Sequence, residues 1–171
     1  SQSRGLGDVY KRQVSNIAVP SKKDNKNIRL LILLSILSLI FTFGYKYVLI
    51  VGDSMNPTNK NLQLVVVDKL SYDFEPPKRG DVIVFYDYLC DDFLIKRVIG
   101  VPGDTIQIVE GKIYRNQKLH VDQFSHIDVD YHLTLPPETL QEKEYWVIGD
   151  NRDDTWFGII HEDEILGQHK E

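Results

Sequence analysis

From Leu30 to Val51 the chain runs 22 residues with one charge, Lys46. As a helix this stretch would be about 33 Å long, against about 30 Å for the hydrocarbon core of a bilayer. Its apolar residues run all round the helix, which a soluble surface helix has no reason to do. Lys46 lies near the far end, where its stem can snorkel to the headgroups, and Tyr45 and Tyr47 suit the interface. A cleavable secretory peptide is the main rival, because the uncharged core, Leu30–Gly44, is only fifteen residues long. Against it, Thr42-Phe43-Gly44 is a poor small-x-small cleavage site. The expectation is therefore an uncleaved anchor over 28–51. Met55 is the only methionine, and residues 1–27 have no apolar periodicity. They are read as a polar basic leader, disordered or partly non-native.

Charge divides at the same place. Residues 1–29 carry seven basic and two acidic side chains, a net +5, and the remainder carries 13 basic and 23 acidic, a net −10. Basic residues before a span favour a cytoplasmic N-terminus, which puts residues 52–171 outside the cytoplasm. An acidic body argues against a nucleic-acid partner, since phosphates need a basic face. With 42% hydrophobic residues in 171, disorder and a multi-span protein are poor readings, and the length suits one domain with a sizeable core. One cysteine, Cys90, rules out an intrachain disulfide and a metal site built on cysteine pairs. It is read as a small buried hydrophobe.

Beyond Asn61 the punctuation is that of a β domain. Leu62–Leu70, Asp81–Tyr88, Phe93–Val101, Thr105–Val109, Lys112–Tyr114 and Glu144–Gly149 read as strands, with hairpins at Glu110-Gly111 and Asn116-Gln117. Residues 122–143, with weak periodicity and two prolines, read as a long loop. His161–Leu166 reads as one helical turn. Many short strands without helix–strand alternation predict a mostly β barrel or sandwich.

Three segments carry candidate chemistry. In Phe93–Ile99, strand alternation groups Leu94, Lys96 and Val98 on one face. A lysine between two aliphatics is starved of water, and desolvation lowers its pKa toward a usable base. Taken alone, an edge-strand lysine reaching into water is the commoner case. Ser54 lies between Gly52 and Pro57, which suits a hydroxyl held on a stiff turn with a backbone N–H beside it. Taken alone, this is an ordinary polar turn. Gly149-Asp150-Asn151-Arg152-Asp153-Asp154-Thr155 follows a strand and crowds polar groups into one turn. The five histidines, at 120, 126, 132, 161 and 169, show no metal-ligand spacing and are read as surface residues.

In order along the chain, these segments resemble the type I signal peptidases, a Ser–Lys dyad family. Gly52-Asp53-Ser54-Met55-Asn56-Pro57-Thr58 resembles its Ser-Met-x-Pro-Thr block. Arg79-Gly80-Asp81-Val82-Ile83-Val84-Phe85 resembles its Gly-Asp strand. Leu94-Ile95-Lys96-Arg97-Val98-Ile99-Gly100-Val101-Pro102-Gly103-Asp104 resembles its Lys-Arg-Val block, and Gly149-Asp150-Asn151-Arg152-Asp153 its Gly-Asp-Asn block. The resemblance implies a mostly β catalytic domain at the outer face of the plasma membrane. Ser54 would be the nucleophile and Lys96 the general base. Thr155, Asp150, Asn151, Arg97 and Met55 would be supporting residues, with Thr155 orienting the Lys96 amine. The implied partners are the lipid bilayer and secretory precursors cut after a small-x-small sequence, whose strand pairs with a sheet edge so that small side chains fit two shallow pockets. Such a reaction needs no metal or organic cofactor.

The chain departs from the pattern in two places. Thr155 stands where the family has a serine, and Trp156-Phe157-Gly158 follows where the family has Asp-Ser-Arg before Trp-Gly. Gly52 stands where some members have an oxyanion-hole serine. Two rival functions follow from the residues. A self-cleaving Ser–Lys repressor would need a DNA-binding domain and a basic face. A non-catalytic β module assisting surface-protein or pilus assembly would bind an extended partner without turnover.

Overall fold

The computed structural model describes residues 22–124, 129–130, 132–153 and 155–170. They fall in two compact units that divide between Phe41 and Thr42. The first is dominated by helix α1, Lys22–Gly44. Asn25–Gly44 is long and apolar enough to cross a membrane, with a mean hydropathy of 2.0, and its side chains are exposed all round. Ser35 returns its hydroxyl to the Ile32 carbonyl at 2.8 Å, which hides a polar group that lipid could not satisfy. The helix stops at Gly44, short of the expected Val51. Tyr45–Leu49 is strand β1 instead. Tyr-Lys-Tyr-Val alternates sidedness, and period two suits a strand as well as an interface anchor. Lys46 lies over the Phe93 ring at 3.7 Å, a cation–π contact within the β unit.

The second unit is mostly β. Its strands are β2 Leu64–Asp68, β3 Val82–Asp87, β4 Asp92–Gly100, β5 Thr105–Val109, β6 Lys112–Arg115, β7 Lys118–Leu119, β8 Leu135–Thr139, β9 Glu144–Ile148, β10 Phe157–His161 and β11 Ile165–His169. One seven-stranded sheet has the order β1-β2-β11-β3-β4-β9-β10, and a four-stranded sheet the order β7-β6-β5-β8. The neighbouring strands pair antiparallel. The β6–β7 hairpin turns at Asn116 and Gln117, both at positive φ, the conformation a tight two-residue loop demands.

Three expectations change. Residues 122–143 include strand β8 despite Pro136 and Pro137. It lies exposed at the edge of the smaller sheet and meets β5 across a register shift, the setting in which prolines without N–H donors are tolerated. The turn expected over His161–Leu166 shrinks to a 3-10 turn at Glu162–Glu164, and β11 follows it. This strand fills the gap between β2 and β3. A Cβ on Gly167 would lie 2.3 Å from the Asp68 carbonyl oxygen, so the chain passes there only as glycine. Cys90 is exposed at the β3–β4 turn rather than buried.

Core packing follows strand alternation. Ile50, Met55, Val65, Val67, Val82, Val84 and Ile95 form one apolar cluster. Ile83, Phe85, Val98, Tyr145, Val147 and Ile160 form another, with Leu94 against it. The third, including Ile99, Ile106, Ile113 and Trp146, draws on strands of both sheets. Outward from β1 and β2 the alternation does not turn polar. Tyr47 faces Val66 across the ladder and Leu49 faces Leu64, all four exposed, with Val51 and Leu62 exposed beyond them. An antiparallel face in water is ordinarily polar on its outer side.

Candidate active site

The Ser54 turn is fixed at both ends. Gly52, at φ +109°, donates its N–H to Asn61 Oδ1 at 3.0 Å. The Asn56 N–H donates to the Asp53 carbonyl at 2.9 Å, and the Asn59 N–H to the Met55 carbonyl at 2.8 Å. Met55, the residue after the serine, is fully buried in the core. Ser54 is half-buried, and among the described residues none accepts its backbone N–H.

Strand β4 brings Lys96 to this turn. Alternation puts Leu94 and Val98 in one core cluster and Ile95 in another, and Ile83 of β3 is the cross-strand neighbour of Lys96. The lysine is 3% exposed, with its Nζ 2.7 Å from Ser54 Oγ and 3.0 Å from the Ile95 carbonyl oxygen. Burial lowers its pKa to about 8, and the Asp150 carboxylate, pulling the other way, is the weaker influence.

The turn after β9 closes round both residues. The Asn151 N–H donates to the Ser54 carbonyl at 3.0 Å and Asn151 Nδ2 to the Asp53 carbonyl at 3.2 Å. Gly149 is where the two segments touch. A Cβ there would lie 2.2 Å from the Ser54 carbonyl oxygen and 2.1 Å from Thr155 Oγ1, so no larger residue fits. Asp150, 2% exposed, takes a two-pronged ion pair from Arg97, with Nε and Nη2 each at 2.7 Å, and a hydrogen bond from the Thr58 hydroxyl. The third Arg97 prong reaches the Gly80 carbonyl at 2.7 Å. One guanidinium thus ties together the turns before β3, after Ser54 and after β9.

A model of the family described as signal peptidase, peptidase S26, matches residues 25–171. The chain belongs to this signal peptidase family. It is 32% identical to signal peptidase I of Leptolyngbya laminosa over 141 residues, 75% of this chain and 68% of that one. It is 32% identical to signal peptidase I U of Bacillus subtilis over 166 residues, 88% of this chain and 89% of that one. Signal peptidase IB of Staphylococcus aureus is 32% identical over 137 residues, 68% of this chain and 71% of that one.

Of the candidate residues in this signal peptidase sequence, Ser54, Lys96, Arg97, Asp150, Asn151 and Met55 come together. Thr155 is close but differently engaged. Its hydroxyl accepts the Gly149 N–H at 2.9 Å and donates to the Trp156 carbonyl at 3.0 Å, so it shapes the turn rather than bonding to the Lys96 amine. Arg152 does more than fill its motif. Its buried guanidinium donates to the Gly149 carbonyl at 3.0 Å and to Asp122 at 2.7 Å. An arginine within a dense polar turn carries no mark of burial in sequence, and its partner is 30 residues away. His120 and His169 are half-buried and hydrogen-bonded, to Asp122 and to Asn59 and Val66, not the surface residues expected. His126 lies outside the described residues. No cluster of three metal-ligating side chains stands among the described residues.

Proposed function

We propose that this S26-family chain is a membrane-anchored serine endopeptidase that removes signal peptides from secretory precursors, with Ser54 as nucleophile and Lys96 as general base. The observation that carries the reading is the 2.7 Å separation of Lys96 Nζ from Ser54 Oγ with the lysine 3% exposed. An amine whose pKa falls to about 8 is uncharged in a useful fraction of molecules near neutral pH.

The neutral amine takes the Ser54 proton as Oγ attacks the scissile carbonyl carbon. The carbonyl oxygen gains the negative charge, and the open Ser54 N–H is a donor suited to it. The C–N bond breaks as the Lys96 ammonium returns the proton to the leaving amine. Lys96 then takes a proton from a water that attacks the ester, and hands it to Ser54 Oγ as the acid is released. Asp150 and Asn151 hold the turn, and Arg97 cancels the charge of Asp150, which would otherwise favour the ammonium.

The membrane setting rests on two features. Helix α1 is long and apolar enough to span, and the basic residues before its apolar run favour a cytoplasmic N-terminus. The exposed apolar residues of β1 and β2 suit a bilayer surface better than water. Ser54 follows Val51, the last residue of that exposed apolar face, by three residues, which suits a nucleophile near the depth at which a precursor's cleavage site leaves the bilayer.

The test uses the full chain in detergent with a secretory precursor carrying a small-x-small site. The new N-terminus should begin directly after that site. Ser54→Ala and Lys96→Ala should each abolish the product while leaving thermal unfolding cooperative. Wild-type cleavage by either variant would sink the dyad.

A further inference from the structure

A cleft of about 670 Å³ opens beside the nucleophile turn. Its wall begins at Asn56, two residues after Ser54, and at Asn151, whose N–H holds the Ser54 carbonyl. It continues past Gln63 and Gln123 to His169 and Lys170 at the end of β11. Its chemistry is that of side-chain amides. Among the described residues no partner takes the Asn56 amide, the Gln63 NH₂ or the Asn151 Oδ1; Asn151 spends its Nδ2 on Asp53, and Gln63 its Oε1 on the Lys60 N–H. Asn59, also in the wall, keeps a buried Oδ1 with no donor among those residues. Free amide groups of both polarities, side by side, match the alternating N–H and C=O of an extended peptide.

Charge narrows the occupant. Among the described residues of the cleft the one carboxylate, Asp150, is already claimed by Arg97 and Thr58. Lys170 stands at the far end beside His169, and among the described residues Lys170 meets only Asp68 at 3.5 Å, largely in solvent. The field there favours acidic side chains over basic ones.

A chain attacked at Ser54 has two arms. The arm before the cut, in the reading proposed above, ends in small side chains that need shallow apolar pockets, not a wide amide-lined cleft. We infer that the cleft beside Asn56 and Asn151 receives the polypeptide on the C-terminal side of the scissile bond, as an extended strand with a preference for acidic residues near Lys170. This rests on the endopeptidase reading, and it assigns the enzyme a second recognition site, for the first residues of the released protein.

The experiment uses the full chain in detergent micelles and peptides with one cleavage site and one N-terminal arm. The C-terminal arm is one, three or six residues long, and the longest exists in acidic and basic versions. Lengthening the arm from one to six residues should raise kcat/KM about tenfold, and the acidic version should exceed the basic one several-fold. Lys170→Glu should reverse that charge preference, and Gln63→Ala should remove most of the gain from length. Ser54-dependent cleavage at rates indifferent to arm length and charge would overturn the inference and leave the endopeptidase standing. Absence of Ser54-dependent cleavage of every peptide would overturn both.

Discussion

At the scale of single residues, the chemistry proposed above turns on keeping one amine uncharged, and that arrangement has a thermodynamic sign. The Lys96 pKa falls from 10.5 to about 8 on folding because burial disfavours the ammonium. Between those two values the unfolded chain holds more protons than the folded one, so this group's contribution to stability rises with pH across that window. Below about pH 8 both states are protonated, and burying the ammonium costs about 3 kcal/mol. Lys96→Met keeps the volume and removes the charge, so it should unfold at higher temperature than the wild type at pH 7. The gain should be on the order of 1–3 kcal/mol and should shrink as the pH approaches 10, read by calorimetry at several pH values. Activity should follow the same group. For the wild type, kcat should climb about tenfold per pH unit below about 8 and level off above it. A limb that stays flat from pH 6 to 9 would deny Lys96 its role. Substitution of Arg97 by lysine keeps a cation but loses the two-pronged grip on Asp150. We expect a drop in kcat of about tenfold, with part of Asp150's charge turned on Lys96, so that the pH limb moves upward.

At the scale of elements, the strand that carries Lys96 and its neighbour were readable because they obey simple rules. Val82–Asp87 and Asp92–Gly100 are dense in branched and aromatic residues, and the alternation around Lys96 correctly groups Leu94 with Val98. What escaped was whatever depends on a distant partner. Strand β11 looks like nothing in isolation, and its pairing comes from β2 and β3, about a hundred residues earlier. Strand β8 was hidden by its two prolines, and β1 by its continuity with an apolar helix. The same blindness applied to Arg152, whose burial depends on Asp122. It applied also to Gly149, which reads as a strand-ending glycine and is in fact the contact point with Ser54. Gly149→Ala tests that point. The new methyl has to displace both the Ser54 carbonyl and the Thr155 side chain. The variant should lose about 1–3 kcal/mol of stability, the usual range for overpacking. Its kcat should fall at least tenfold, since the serine moves relative to Lys96. Wild-type kcat in a folded Gly149→Ala protein would show that the turn is not what positions the nucleophile.

At the scale of the whole molecule, the chain holds an apolar helix and a β unit whose β1–β2 face is apolar where water would ordinarily meet it. Opposed charge accompanies these features: the first 29 residues are net +5 and the rest net −10. Placing carboxylates on that face separates membrane seating from chemistry. A Leu49→Asp, Leu64→Asp double variant should cut a membrane-inserted precursor in vesicles several-fold more slowly than the wild type, and a short soluble peptide in detergent at a similar rate. Equal losses in both assays would mean that the face supports the fold and not the bilayer. One further feature reaches across the molecule. Met55 is the only methionine in these 171 residues and is fully buried beside Ser54. Isotope labelling of methionine methyls would therefore give a Met55 peak that sits one residue from the Ser54 hydroxyl. An acylated intermediate, an inhibitor or a change in Lys96 protonation would each be visible as a change in a single resonance, even with the protein in a micelle.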